Sequence, residues 1–187
     1  MSEVSFREAV DAARVLLKYL ASRGAQFDEE AMTNTPERFV RALTEIVTQE
    51  SEMEVRHFET TCDNLVLVKD VFVVSLCPHH ILPVLYNVSI GYIARGRVLG
   101  LSKLPRLARR LASKCLLQEE YTTQLARVIE EETSALGVGV LVKGEHMCMK
   151  IRGVRVTAPV ITSAFRGVLL GSQAAREEFL SLVRCQS

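Results

Sequence analysis

The sequence predicts an α+β fold: a four-stranded antiparallel sheet with a pair of helices between its two strand pairs, preceded by N-terminal helices. Three observations predict it. Apolar residues recur at helical spacing from Ser5 to Arg23. From Leu65 the pattern changes to Val- and Leu-rich runs and alternation, as in strands. The strand runs come in two pairs with two helical runs between them, an order that suits antiparallel pairing rather than a doubly wound parallel sheet.

Taken in order, Ser5 to Arg23 places Phe6, Val10, Ala13, Leu16, Leu17 and Leu20 on one side of a helix, with Gly24 as its stop. Asn34-Thr35-Pro36-Glu37 predicts a second helix start, a capping residue followed by proline in the first turn. That helix carries Arg38 and Arg41 and ends near Val47. Asn64 to Leu76 and Val84 to Ala94 form the first strand pair. Ser102 as N-cap, with Pro105 just inside, opens a helix to about Lys114. Gln118 to Leu136 is the next helix, closed by Gly137. Val138 to Met149 and Gly153 to Ile161 form the second strand pair, and Ser172 caps a last helix to Arg184. Residues 1–60 are expected to be an N-terminal helical region and residues 61–187 one structural unit. An antiparallel four-stranded sheet has exposed edges, and oligomerisation through them is a natural solution.

The chain has 187 residues, enough for one domain with a real core. Hydrophobic residues make up 48% and charged residues 24%, so a globular fold is expected. A formal net charge of +1 supplies no bulk field to recruit nucleic acid or an anionic membrane. Tryptophan is absent and aromatics are few, which disfavours surfaces that stack single-stranded bases. No apolar run approaches the ~20 residues of a membrane helix. Met1 to Arg14 has early acids and no apolar centre, unlike a signal peptide. No nucleic-acid or membrane partner is therefore expected. Five cysteines, an odd number without even spacing, argue against a disulfide framework and fit a reducing, cytoplasmic setting.

The chemistry concentrates in Cys77-Pro78-His79-His80 and His146-Met147-Cys148, which hold all but one of the histidines. Thiolate plus imidazole is the ligand set of zinc, and three strong ligands with two spare histidines match an open catalytic site better than a closed structural one. The Cys-x-x-His spacing lets Cys77 and His80 wrap back on one ion. Adjacent histidines do not easily share a metal, so His79 is left to face the substrate. Pro78 biases Cys77 towards an extended backbone. His146 and Cys148 stand two apart in an alternating run, which places both on one strand face. Two assignments compete for the third ligand: Cys148, or His146 with Cys148 a bystander. Cys62, Cys115 and Cys185 have no histidine or cysteine close by and read as ordinary thiols.

Gly100-Leu101-Ser102-Lys103-Leu104-Pro105-Arg106 is the second signal. An N-cap at Ser102 points backbone N–H groups outward at the positive end of a helix, and Lys103 and Arg106 share that first turn. The arrangement reads as a phosphate site or, alternatively, as a capped helix with two solvated cations. Glu119 and Glu120 open the following helix, where the helix dipole alone favours acids. A functional glutamate there would accept two hydrogen bonds from a planar ligand such as guanine.

Together these segments resemble the GTP cyclohydrolase I family. The resemblance runs from Thr35-Pro36-Glu37-Arg38 to the last helix. The family's Cys-Glu-His-His appears as Cys77-Pro78-His79-His80, its Gly-Leu-Ser-Lys-x-x-Arg is intact from Gly100 to Arg106, and its Gln-Glu pair matches Gln118 and Glu119. Its His-x-Cys matches His146 and Cys148, with Arg152-Gly153 following. The resemblance implies zinc ligands at Cys77, His80 and Cys148, and proton-transfer roles for His79 and His146, with Ser102 among the catalytic residues. It implies Glu119 as guanine anchor, Gln118 as a further substrate-binding residue, and Ser102, Lys103, Arg106, Arg152 and Arg38 around the triphosphate. It implies GTP as substrate, with 7,8-dihydroneopterin triphosphate and formate as products. It also implies the tunnelling fold, an oligomeric barrel, and a homodecamer of two stacked pentamers. Bound zinc would bring the pKa of water towards ~7.

Three positions depart from the family pattern. Pro78 replaces a glutamate, Arg41 stands where lysine is usual, and Glu120 replaces an arginine. Two alternatives follow. One is a related enzyme that acts on another purine nucleotide or stops at the ring-opened formamide. The other is a zinc-stabilised binding or regulatory protein without catalysis, which the phosphate-reading residues oppose.

Overall fold

The computed structural model describes residues 4–49 and 56–185. Residues 50–55, inside the expected helical region, lie outside the described residues. The chain divides into two compact units, Met1–Val47 and Thr48–Ser187.

The first unit is a helix pair, α1 (Phe6–Ser22) and α2 (Glu29–Val47). Ser5 caps α1 in a reciprocal box: its hydroxyl accepts from the Glu8 N–H at 3.3 Å, and Glu8 accepts from the Ser5 N–H at 2.8 Å. Ala13 and Leu17 are the buried residues of its apolar stripe. Gly24, with φ of +107°, follows the helix as expected. The second helix starts earlier than the Asn34-Thr35-Pro36 signal predicts. The Asp28 carboxylate accepts from the Ala31 N–H at 2.7 Å and takes the capping role. Asn34 instead donates to Glu30, and Pro36 sits buried within the helix.

The second unit holds a four-stranded antiparallel sheet in the order β2-β3-β5-β6. Its strands are β2 (Leu65–Leu76), β3 (Pro83–Ile93), β5 (Gly137–His146) and β6 (Val160–Gly167). A small second sheet, absent from the sequence reading, pairs β1 (His57–Glu59) with β4 (Arg97–Leu99). Between the strand pairs lie α3 (Lys103–Ala112) and α4 (Gln118–Thr133), as expected. They pack on the face carrying Val84, Tyr86, Val88, Ile90 and Tyr92 of β3 and Val138, Val140 and Val142 of β5, all buried. Leu104, Leu107, Leu125 and Ile129 complete this core. Short helices α5 (Met147–Lys150) and α6 (Val168–Gly171) precede α7 (Gln173–Arg184), which Ser172 caps through the Ala175 N–H. Gly91 and Gly139 face each other across β3 and β5, and a β-carbon on either would press on the buried Phe179 ring of α7.

Four boundaries in this unit differ from the sequence reading. Ser102 precedes α3 but has helical backbone angles and makes no capping bond, because the turn begins at Gly100, whose carbonyl already accepts from the Lys103 N–H at 2.8 Å. The α4 helix stops before Leu136: the Thr133 hydroxyl folds back on the Ile129 carbonyl, Ser134 turns left-handed, and Gly137 belongs to β5. The β5 strand ends at His146, paired with Val84, because its partner β3 begins at Pro83 and leaves nothing to pair beyond. The last strand starts at Val160 rather than Gly153. Val154 and Val156, which mimic strand alternation, are exposed in a loop. Among the described residues no helix is long and apolar enough to cross a membrane.

Candidate active site and metal centre

Register places the site at one end of the sheet. Leu76 of β2 pairs with Pro83 of β3, Val84 with His146 of β5, and Gly144 with Val160 of β6. The turn after β2, the turn after β5 and the start of α4 therefore meet.

The turn from Cys77 to Leu82 is tied by its own backbone. Cys77 N–H donates to the Leu82 carbonyl at 2.9 Å, and Ile81 N–H to the Cys77 carbonyl at 2.8 Å. Ile81 has φ of +54°, a left-handed conformation that strains a β-branched residue. This fold-back brings both neighbouring imidazoles to the Cys77 sulfur: Nδ1 of His79 lies 3.8 Å from it and Nδ1 of His80 3.7 Å.

Cys148 joins them from the α5 turn, whose closure is marked by the Ile151 N–H on the Met147 carbonyl at 3.1 Å. The expectation that His146 and Cys148 share a strand face is therefore corrected: His146 ends the strand and Cys148 lies on a helical turn. The two still line one cavity, of about 230 Å³, together with Cys77, His79, Gln118 and Glu119. The ligand atoms of Cys77, His80 and Cys148 all lie within 4.8 Å of one another. Sulfur and nitrogen ligands on one tetrahedral zinc stand roughly 3.5–3.8 Å apart, so the trio needs little contraction. Burial first, and the Cys77 thiol second, push the Cys148 thiol above its ordinary range, while Arg152 acts the other way. A cation between the two sulfurs relieves that cost. The donor set and spacing fit zinc, with His146 outside the trio.

The imidazole of His146 is half-buried, edge-on to the Tyr86 ring at 6.3 Å. Its Nε2 lies 2.8 Å from Gln118 Oε1. Burial holds its pKa below the ordinary histidine value, and Glu119 opposes that shift. Tyr86 in turn stacks on Tyr121 at 5.0 Å, and burial raises its pKa.

The remaining sequence-picked residues do not line this cavity. Ser102, Lys103 and Arg106 stand at the start of α3, and Arg152 follows α5. Arg38 lies on α2 in an exposed pair with Glu30 at 2.6 Å. Sequence reading missed Tyr86, Thr122, Thr162 and Gly144. The alternation of β3 signals Tyr86 as inward-facing, but nothing local marks the other three.

The comparisons agree with this geometry. The GTP cyclohydrolase I family matches residues 12–184 of the chain. A protein named GTP cyclohydrolase 1 from Chromohalobacter salexigens is 37% identical over 170 residues, covering 88% of this chain and 92% of that protein. Another of that name, from Hahella chejuensis, is 39% identical over 173 residues, covering 88% and 90%. One from Campylobacter jejuni subsp. doylei is 36% identical over 180 residues, covering 92% and 93%. A solved structure described as the archaeosine synthase QueF-Like in the apo form shows a weaker likeness. It has a TM-score of 0.44 and 23% identity, covering 55% of this chain and 93% of that one. With the match spanning nearly the whole sequence, this chain belongs to the GTP cyclohydrolase I family.

Proposed function

We propose that this chain hydrolyses GTP at purine C8, releasing formate and yielding 7,8-dihydroneopterin triphosphate. The observation that carries the reading is a Cys77–His80–Cys148 trio whose two cysteines line one cavity with His79, His146 and Glu119, in a member of this family. Cys77, His80 and Cys148 would hold zinc, which supplies the Lewis acidity that makes water a nucleophile near neutral pH.

The chain's own residues do the rest. His79 and His146 exchange protons with the purine, a task suited to an imidazole, whose two ring nitrogens can donate and accept. Glu119 accepts from guanine N1–H and the exocyclic amine. Ser102, Lys103, Arg106, Arg152 and Arg38 hold the triphosphate. Pro78, beside the trio, removes a family carboxylate and so adjusts the rate rather than the product.

The dispersal of the phosphate set over separate elements supports a site completed by neighbouring copies, as in a decamer of two pentamers. The sheet supports it too: β2 and β6 are its outer strands, and Phe72 and Ile161 on them are about 60% exposed. A cytoplasmic location fits the five free thiols.

The deciding experiment incubates the zinc-loaded protein with GTP and measures formate together with the fluorescence of the oxidised pterin. Both products are expected in equal amounts. GTP bound, zinc present and neither product formed would overturn the assignment.

A further inference from the structure

We propose that Gln118 is a positioning residue rather than a substrate contact: its buried amide, seated over Gly144, holds His146 with the proton on Nε2 and leaves Nδ1 as the acceptor. The inference rests on the reading of His146 as a proton-transfer residue.

The order of hydrogens follows from groups that can only accept. Gln118 Nε2 lies 3.0 Å from the Val160 carbonyl, 3.3 Å from the Val142 carbonyl and 3.1 Å from Thr162 Oγ1. Carbonyl oxygens do not donate, so the amide nitrogen faces them and the amide oxygen faces His146. That oxygen also only accepts, so His146 Nε2, at 2.8 Å, is the donor.

Thr122 and Thr162 lock the same sense. Thr122 Oγ1 donates to the Gln118 main-chain carbonyl at 2.7 Å. It must then accept the Thr162 hydroxyl hydrogen across their 2.6 Å contact, which leaves a Thr162 lone pair for Gln118 Nε2. Every hydrogen in the chain of contacts from His146 to the Gln118 main-chain carbonyl therefore runs one way. A neutral imidazole has one N–H, so Nδ1 carries the lone pair.

Two further facts favour positioning over substrate contact. Gln118 is only 3% exposed, and both hydrogens of its amide nitrogen are committed to protein acceptors. Gly144 keeps the seat open: a β-carbon there would overlap Gln118 Oε1 and crowd the Tyr86 ring at 3.1 Å. The softest response is displacement of the glutamine amide, the far end of a flexible side chain.

Histidine-15N spectra of the zinc-loaded protein test this directly, with the His146 signals assigned from their loss in His146→Gln. Wild type should show one His146 form, protonated at Nε2. Gln118→Met, which keeps the volume and removes the amide, and Gly144→Ala, which only displaces it, should both lose that single form. In steady state each should lower kcat for GTP by about tenfold or more, with KM changed less than about twofold, given the roughly 10²–10⁴-fold that a positioned acid or base supplies. An unchanged His146 spectrum in both variants, or a raised KM with kcat kept in Gln118→Met, overturns the proposal. A lost tautomer with unchanged kcat upholds the positioning and overturns the proton-transfer reading of His146 instead.

Discussion

The sheet end and the start of α3 carry the two motifs the sequence singles out, and they are built in opposite ways. At the sheet end, Cys77, His79, Gln118, Glu119, His146 and Cys148 come from four separate elements and converge on one cavity. Strand register brings their turns and helix together, the Cys77 turn is tied by its own backbone bonds, and the buried Gln118 amide meets His146. At the start of α3, Ser102, Lys103 and Arg106 are sequence neighbours, Lys103 half-buried and the other two exposed, with no capping bond at Ser102. Long-range strand pairing assembles the sheet-end cavity, whereas the cation cluster is set by residues of a single helical turn.

Breaking the sheet-end site should have the largest effect. Cys148→Ala is expected to lose bound zinc and to lower GTP turnover by more than about 100-fold, beyond the usual cost of losing an outer partner of a metal ligand. Metal analysis beside formate release checks this, and a fully metallated, active variant would remove Cys148 from the ligand set.

The cation cluster should behave as a binding element. Lys103→Ala or Arg106→Ala should raise KM for GTP about tenfold or more, from the loss of a charge-assisted contact, while guanosine binds as before. Normal GTP binding in both variants would reduce this region to a plain helix start. Such an outcome would sharpen the contrast with the sheet end.

A smaller effect is expected beside the Cys77–His80–Cys148 trio. Pro78→Glu should raise turnover by about threefold to tenfold with the products unchanged, since residues behind metal ligands tune rather than define a site. Formate released without pterin by the wild type would show instead that the missing carboxylate blocks a step after hydrolysis.

The smallest change concerns Arg38, which the exposed Glu30 now holds and whose hydrogen bond keeps that carboxyl below its usual range. Glu30→Gln should release Arg38 and lower KM for GTP by less than any change above, an effect that fades with added salt. An unmoved KM at low salt would exclude Arg38 from the triphosphate site.

Much of this was legible in the chain because it depends on local spacing. The α1 stripe with its Gly24 stop, the two strand pairs with helices between them, and the approach of Cys77 and His80 each follow from neighbours a few residues apart. The α2 start was misread because two capping signals compete within eight residues, and Asp28 with the acids after it prevails over Asn34. Cys148 was paired correctly with the site by an incorrect route: alternation suggested a shared strand face, but β5 runs out of partner at Val84 and the chain turns helical.

The sequence by itself determined the residue chemistry and the order of elements, because side-chain identity and hydrophobic period are local properties. Only the tertiary structure decided which way the protons point around His146. That depends on Val142, Val160 and Thr162, which lie 24, 42 and 44 residues from Gln118 along the chain, and on the missing side chain at Gly144, whose place the Gln118 amide takes. No local pattern encodes a seat or a carbonyl that far away; strand register creates both.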